Sequence, residues 1–413
     1  MPGARSGDRA PRRQARRPRG QAAATGPTRL GRARLERGRL VTAPATTGDP
    51  PLEAPARLRV LVVDDAAAYR QAVSRALATI PGVVVAGVAA DLATARRKIE
   101  AGDIDAVTID VNLRGESGLD LVRWLRERLP GVVSILVTSG ETEGARTAVD
   151  ALMLGAAGIV LKPSGENAAE DLQRALGRVL LGIVRSTPRP RGPSAVEPSR
   201  AHRELVAVGA STGGPPVLLT FLQGLPAEFE VPIVIVQHMP SLHVPYFAEL
   251  LGQRSGRPVC VAGDGEVVRP GVTYLAGHGL HLRVGRRRNT LVLIHDDGPP
   301  EHHCRPAVDP MFRSVAEACG PAAVGVVMTG MGSDGALGAV ALAGRGAPVV
   351  VQDERSSVVW SMPGAVYAAG VASSVVPADQ LADWVVRRTA SPTSTSTSTS
   401  TSTTTNQGTR ENP

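Results

Sequence analysis

Short hydrophobic runs recur through residues 57–184, each followed by a polar turn and then by a segment with apolar residues at helical spacing. The strand-like runs are Arg59–Val63, Val83–Val88, Ala106–Ile109, Val133–Val137 and Gly158–Leu161, with helical spacing at Tyr69–Thr79 and Leu119–Leu129. Five strand patterns separated by helices predict a doubly wound parallel sheet with helices on both faces. A second series follows at Leu205–Val208, Ile233–Val236, Val272–Leu275, Thr290–Ile294, Ala323–Met328 and Pro348–Val351, with helical stretches at Val308–Ala318 and Gly335–Ala343. Hairpin-like spacing around 272–295 predicts an antiparallel insertion in this second α/β unit. The pattern therefore predicts two α/β domains, 57–184 and 204–388.

The segments outside these domains have no hydrophobic periodicity. Residues 185–203, rich in Pro, Arg and Ser, read as a linker. Residues 389–413 contain the Ser/Thr alternation from Ser391 to Thr405 and read as a low-complexity tail. Residues 1–56 hold twelve arginines against Asp8, Glu36, Asp49 and Glu53, and so carry the chain's whole net charge of +8. That stretch reads as a disordered basic tail, and the folded part is electrically balanced. With no basic face and no helix-turn-helix pattern in that part, a specific nucleic-acid output is not expected. No apolar run approaches 18 residues and no signal-peptide core is present, which leads us to expect a soluble, cytoplasmic protein. Cys260, Cys304 and Cys319 lack metal spacing and fit reduced thiols.

In a parallel sheet, ligands bind beyond the carboxyl ends of the strands. In the first domain those ends carry Asp64 and Asp65, Asp110, Thr138 and Ser139, and Lys162 followed by Pro163. Three carboxylates at one edge repel one another and call for a hard cation such as Mg²⁺. Lys162 is one of only two lysines in an arginine-rich chain, the other being Lys98, which points to a need for a compact charge there.

The second domain's first strand ends in Gly209-Ala210-Ser211-Thr212-Gly213-Gly214. Such a turn presents a serine beside free backbone N–H groups; it suits a nucleophile, and equally a phosphate cradle at a helix N-terminus. His238 follows a buried strand directly, and Asp334 sits in a glycine-rich turn after another. Converging at one sheet edge, His238 would take the Ser211 proton while Asp334 fixes the imidazole tautomer. Thr212 and the Gly330-Met331-Gly332 turn could supply oxyanion donors. Asp334 equally suits the cap of a helix starting near Gly335. His278, His281, His302 and His303 complete no metal set and are assigned no site; Asp296 and Asp297 read as turn residues. An ordinary α/β-hydrolase fits poorly, because its triad order is Ser, acid, His and several strands precede its nucleophile.

The first domain resembles the receiver domain of bacterial response regulators. That resemblance implies Asp110 as phosphoacceptor, Mg²⁺ held by Asp64, Asp65, Asp110 and the Asn112 backbone carbonyl, Thr138 and Lys162 as switch residues, and a cis Lys162–Pro163 bond. Two departures are the loop after Asp110, Val-Asn-Leu-Arg-Gly-Glu-Ser-Gly, and Ile159 at the usual aromatic switch position. The second domain resembles the catalytic domain of chemotaxis protein-glutamate methylesterases. The motifs are Gly-Ala-Ser-Thr-Gly-Gly (209–214), Gln-His-Met-Pro (237–240), Arg-Pro-Gly-Val-Thr-Tyr-Leu-Ala (269–276), Arg-Pro-Ala-Val-Asp-Pro-Met-Phe-Arg-Ser (305–314) and Met-Thr-Gly-Met-Gly-Ser-Asp-Gly-Ala (328–336). This implies hydrolysis of γ-glutamyl methyl esters and deamidation of glutamines on chemoreceptors by a Ser211–His238–Asp334 triad without a cofactor. It further implies oxyanion amides at Thr212 and Met331, and a receiver that covers the site until a histidine kinase phosphorylates it. A monomer with only peripheral access to membrane receptors is expected. The alternative is a response regulator whose second domain binds a partner without catalysis.

Overall fold

The computed structural model describes residues 57–139, 142–184 and 202–389; the basic tail, most of the linker and the Ser/Thr tail lie outside the described residues. In the first domain, strands β1 (Leu58–Val63), β2 (Val83–Ala89), β3 (Ala106–Asp110), β4 (Val133–Thr138) and β5 (Gly158–Leu161) form a fully parallel sheet in the order β2-β1-β3-β4-β5. Helices α1 (Ala67–Ala78), α2 (Leu92–Glu100), α3 (Gly118–Arg128), α4 (Thr142–Met153) and α5 (Ala168–Val184) cover it. Two buried clusters fill the space between sheet and helices, one around Leu61, Ile109, Leu121 and Leu136, the other around Val60, Leu77, Ile135 and Leu176.

The second domain has a seven-stranded parallel sheet. In chain order its strands are β6 (Leu205–Ala210), β7 (Ile233–Gln237), β8 (Val259–Val261) and β9 (Thr273–Leu275). A hairpin of β10 (His281–Arg287) and β11 (Thr290–Asp296) interrupts the series, which resumes with β12 (Ala323–Val327), β13 (Val349–Gln352) and β14 (Ser374–Val376). The sheet order is β8-β9-β7-β6-β12-β13-β14. The antiparallel insertion is therefore narrower than the sequence suggests. Residues 273–275 pair parallel with β7 and β8 and belong to the main sheet, because Tyr274 and Leu275 are buried against its core. The helices are α6 (Gly214–Gln223), α7 (Val244–Ser255), α8 (Val308–Cys319), α9 (Ala336–Gly344), α10 (Ser361–Ala368) and α11 (Leu381–Thr389). Arg203, read from sequence as the end of the linker, is buried in this domain and donates to the Arg388 and Pro321 carbonyls.

The two domains pack together through α4, which lies against α6, α7 and the turn Ser241–His243. Val149 and Met153 of α4 join the apolar cluster of Leu218, Phe221 and Phe247, while Met239 packs into the receiver's own cluster. Ion pairs Arg146–Glu249 (3.2 Å) and Arg254–Asp150 (3.4 Å) rim the contact, and the Arg146 guanidinium lies over the Tyr246 ring.

Candidate active site and acidic receiver pocket

Strand register assembles the receiver pocket. Val63 pairs with Ile109, so Asp64 and Asp110 leave the sheet at the same level; Thr138 pairs with Leu161, which brings Lys162 just beyond it. The strand order reverses between β1 and β3, which is where such sheets bind ligands. Carboxylate oxygens of Asp64, Asp65 and Asp110 lie within 4.8 Å of one another. Lys162 Nζ reaches Asp64 at 2.8 Å and Asp110 at 2.7 Å. Arg114 pairs with Asp65 at 3.2 Å. Burial, aided by the Asp64 charge, raises the Asp110 proton affinity above the ordinary carboxylate value despite the Lys162 contact. Buried Asp64 Oδ2 has no hydrogen bond beyond its ion pair with Lys162. Hard oxygens this close, one with spare accepting capacity, fit a small divalent cation. Thr138 is buried, its hydroxyl on the Ser139 carbonyl. The Lys162–Pro163 bond is trans, contrary to the sequence-based expectation: the Lys162 N–H continues the ladder to Thr138 O at 2.7 Å and the amine spans both aspartates from there. The described chain's cis bond is Arg305–Pro306.

Register also assembles the second site. Ala210 pairs with Gln237, so Ser211 and His238 follow their strands at one level. Val327 pairs with Gly209, and the loop after β12 carries Asp334 back to the same edge. This edge, too, is a switch point, with β6 feeding β7 on one side while β12 lies on the other. Gly213 (φ 75°) adopts the left-handed backbone that turns β6 into α6. At Gly330 a Cβ would stand 2.8 Å from that of Ser211, so only glycine lets the two turns approach. Gln237 Nε2 donates to the carbonyls of Ser211 and His238, and Thr329 Oγ1 donates to Thr212 O, which pins the serine turn from both sides. Sequence reasoning quoted Gln237 and Thr329 within motifs but gave them no role; a polar residue at a buried strand end was the available signal.

His238 Nε2 donates to Asp334 Oδ2 at 2.8 Å. Asp334 also accepts the N–H groups of Val308 (2.7 Å) and Asp309 (2.9 Å), the first turn of α8. The aspartate thus caps α8, whereas α9 starts at Ala336, after Gly335, without a side-chain cap. That corrects the capping alternative: the carboxylate turns back across the sheet edge because it finds three donors there. Burial would raise the Asp334 proton affinity, but His238 and these N–H groups hold it below the ordinary value. Burial alone would lower that of His238; Asp334 and the neighbouring Cys304 outweigh it and push the imidazole up to about 10.

Among the described residues Ser211 Oγ makes no hydrogen bond, and the Thr212 and Met331 N–H groups find no acceptor. All three border a cavity of about 570 Å³ with His238 and Asp334. Its opposite wall is the receiver: Leu152, Ala157, Ile159, Ala175, Arg178 and Val179. His302 also lines this cavity and bonds Asp309, a pair that sequence spacing left unassigned because its partners lie on separate elements. A free hydroxyl, a histidine–carboxylate pair and unpaired N–H donors at one point can support acyl transfer.

The family model described as CheB methylesterase matches residues 206–385, and the one described as response regulator receiver domain matches residues 60–174. Protein-glutamate methylesterase/protein-glutamine glutaminase 1 of Xanthomonas campestris is 40% identical over 357 residues, covering 82% of this chain and 99% of that protein. The protein-glutamate methylesterase/protein-glutamine glutaminase of a Nocardioides strain is 37% identical over 352 residues, with 81% and 96% covered. The crystal structure of the Thermotoga maritima CheB methylesterase catalytic domain is 34% identical with a TM-score of 0.44, covering 45% of this chain and 99% of that one. The chain belongs to the CheB methylesterase family and carries a receiver domain ahead of its catalytic domain. Among the described residues no helix is long and apolar enough to cross a membrane.

Proposed function

We propose that this chain is a phosphorylation-activated protein-glutamate methylesterase that also deamidates glutamine, acting on the methylated helices of chemoreceptors. The observation that carries this reading is the meeting of Ser211, His238 and Asp334 at one sheet edge, beneath a receiver that closes over them. Ser211 attacks the γ-carbonyl, His238 accepts its proton and returns it to the departing methanol, and Asp334 keeps the imidazole's Nε2 edge occupied so that the other edge faces the chemistry. The Thr212 and Met331 amides stabilise the oxyanion. Water then releases the glutamate product by the same route in reverse.

The reading divides the chain into a receiver at 57–184 and a catalytic domain at 204–388, joined by the linker. In the receiver, Asp110 accepts a phosphoryl group from a histidine kinase. Asp64, Asp65, Asp110 and the Asn112 carbonyl would hold Mg²⁺, which neutralises the incoming phosphoryl oxygens. Thr138 and Lys162 respond to the charge on Asp110. The arrangement described is the resting one, in which the receiver walls the cavity that Ser211 and His238 border. The test is methanol release from methylated receptor membranes, with and without acetyl phosphate and Mg²⁺. Release stimulated by the phosphodonor supports the reading; no release in either condition refutes it.

A further inference from the structure

Tyr69, in the first turn of α1, is the one exposed Phe, Tyr or Trp among the described residues, at 41%. It joins neither of the receiver's two apolar clusters, and among the described residues its hydroxyl makes no hydrogen bond. The ring lies instead over the ammonium of Lys162, with Nζ 4.2 Å from the ring centroid. Its neighbours Ala67 and Ala68 are small and exposed, so this part of α1 has no core to fill. The contact with Lys162 is what the ring is placed for.

An ammonium carries three N–H donors. Those of Lys162 meet Asp64 at 2.8 Å and Asp110 at 2.7 Å, and the Tyr69 ring adds a third attraction. The face of an aromatic ring is negative and draws a cation, more strongly when the cation is out of water. The Lys162 side chain is only 8% exposed, which favours the stronger end of that range. The contacts differ in one respect. Asp64 and Asp110 are also the residues that would hold Mg²⁺, so both carboxylates are shared, whereas the ring serves Lys162 alone.

We propose that Tyr69 is a positioning residue for phosphoryl transfer: its ring face holds the Lys162 ammonium beside Asp110. The inference rests on the reading of Asp110 as phosphoacceptor. In that step an Asp110 oxygen attacks the phosphorus of acetyl phosphate, the bond from phosphorus to the acetate oxygen breaks, and acetate leaves with the electron pair. Lys162 offsets the charge of the phosphoryl oxygens as they arrive. Without the ring the ammonium is freer to turn toward water, and transfer slows.

The experiment compares Tyr69→Phe, which keeps the ring face, with Tyr69→Leu, which keeps apolar bulk and removes the face, in the full-length chain. The first readout needs neither metal nor phosphodonor. In a Lys98→Arg background Lys162 is the only lysine, so its isotope-labelled ε-methylene gives a single NMR signal. Ring current should displace that signal upfield in the background protein and in Tyr69→Phe, and the displacement should vanish in Tyr69→Leu. The second readout is the initial rate of label transfer from radiolabelled acetyl phosphate at saturating Mg²⁺. Tyr69→Phe should stay within about twofold of wild type, and Tyr69→Leu should fall about three- to tenfold. A Lys162 signal that Tyr69→Leu leaves unmoved overturns the proposal, as do equal transfer rates in the two variants. Should Tyr69→Leu fail to fold, judged by its thermal transition, Tyr69→Ala takes its place, since alanine suits an exposed helical position. Asp110→Asn separates the two levels. Label retained in that variant, or absent from wild type, refutes the phosphoacceptor reading; label that requires Asp110, with equal rates in Tyr69→Phe and Tyr69→Leu, refutes only the role of Tyr69.

Discussion

The Gly213 amide, two residues beyond Ser211, donates a 2.9 Å hydrogen bond to the carbonyl of Ala157, at the entrance to the receiver's last strand. The Ser211 turn is thus tied by main chain to the strand that leads into Lys162, and Lys162 holds Asp110 at 2.7 Å. Lys162, β5 and the bond at Ala157 thus form a continuous series of contacts from Asp110 to the Ser211 turn. A two-state contact of this kind needs only a few kcal/mol of bias to open.

Removing the proposed nucleophile tests the catalytic reading most directly. Ser211→Ala should abolish methanol release while leaving the thermal transition near wild type, and His238→Gln should abolish it as well. Asp334→Asn should lower turnover by orders of magnitude, with about 10⁴ as the serine-protease precedent. Ser211→Ala activity within tenfold of wild type would show that another group attacks.

The acidic pocket makes a second prediction. Acetyl phosphate should raise turnover only when Mg²⁺ is present, because three carboxylates within 4.8 Å otherwise repel the phosphoryl oxygens. Asp110→Asn should keep the basal rate and lose the stimulation. Persistent stimulation in that variant would place the switch elsewhere.

Docking of the receiver should depend on apolar packing more than on its rim. Arg146–Glu249 and Arg254–Asp150 are exposed and contribute little singly. Met153, by contrast, is buried among catalytic-domain side chains. Met153→Ala should weaken docking by about 1–2 kcal/mol and raise the unphosphorylated rate roughly five- to thirty-fold. The phosphorylated rate should barely change. Assay of both states of the variant decides, and equal rates with wild type in the unphosphorylated state would argue against gating by this contact.

The His238–Asp334 pair predicts a pH dependence of stability. His238 holds its proton to about 10 in the folded protein, against about 6.5 in an unfolded chain. Between those values the folded state binds more protons, so stability falls as pH rises through that window. The thermal midpoint should therefore decline from pH 7 to pH 10, and less steeply in His238→Gln. Parallel declines would assign the effect to other groups.

Residues 1–56 carry the entire net charge of the chain, and the rest is balanced. Deleting them should leave phosphorylation and ester hydrolysis within a few-fold of wild type. A truncated chain that no longer folds, or turns over markedly more slowly, would give that segment a structural part.

Much of this was written in the sequence. The apolar runs located most strands to within two residues, since a run of Val, Ile and Leu bounded by a turn has few other uses. Their ends named Asp64, Asp110, Ser211 and His238, because the chemistry of a parallel sheet gathers where strands stop. The three-residue strands Val259–Val261 and Ser374–Val376 left too little pattern to see, and they exist because β9 and β13 offer them an edge. Local sequence made Asp334 a possible cap for the next helix; only the folded sheet edge shows it capping α8, 25 residues upstream at Asp309. His302 and Asp309 likewise acquire meaning through contact, as does the bond from Gly213 to Ala157. Strand and turn preferences act over a few neighbouring residues and are legible one residue at a time. Charge pairing between helix ends and loops, and the closing of one domain over another, depend on distances that no sequence spacing encodes. Those were settled by packing, which alone determines which buried carboxylate meets which histidine.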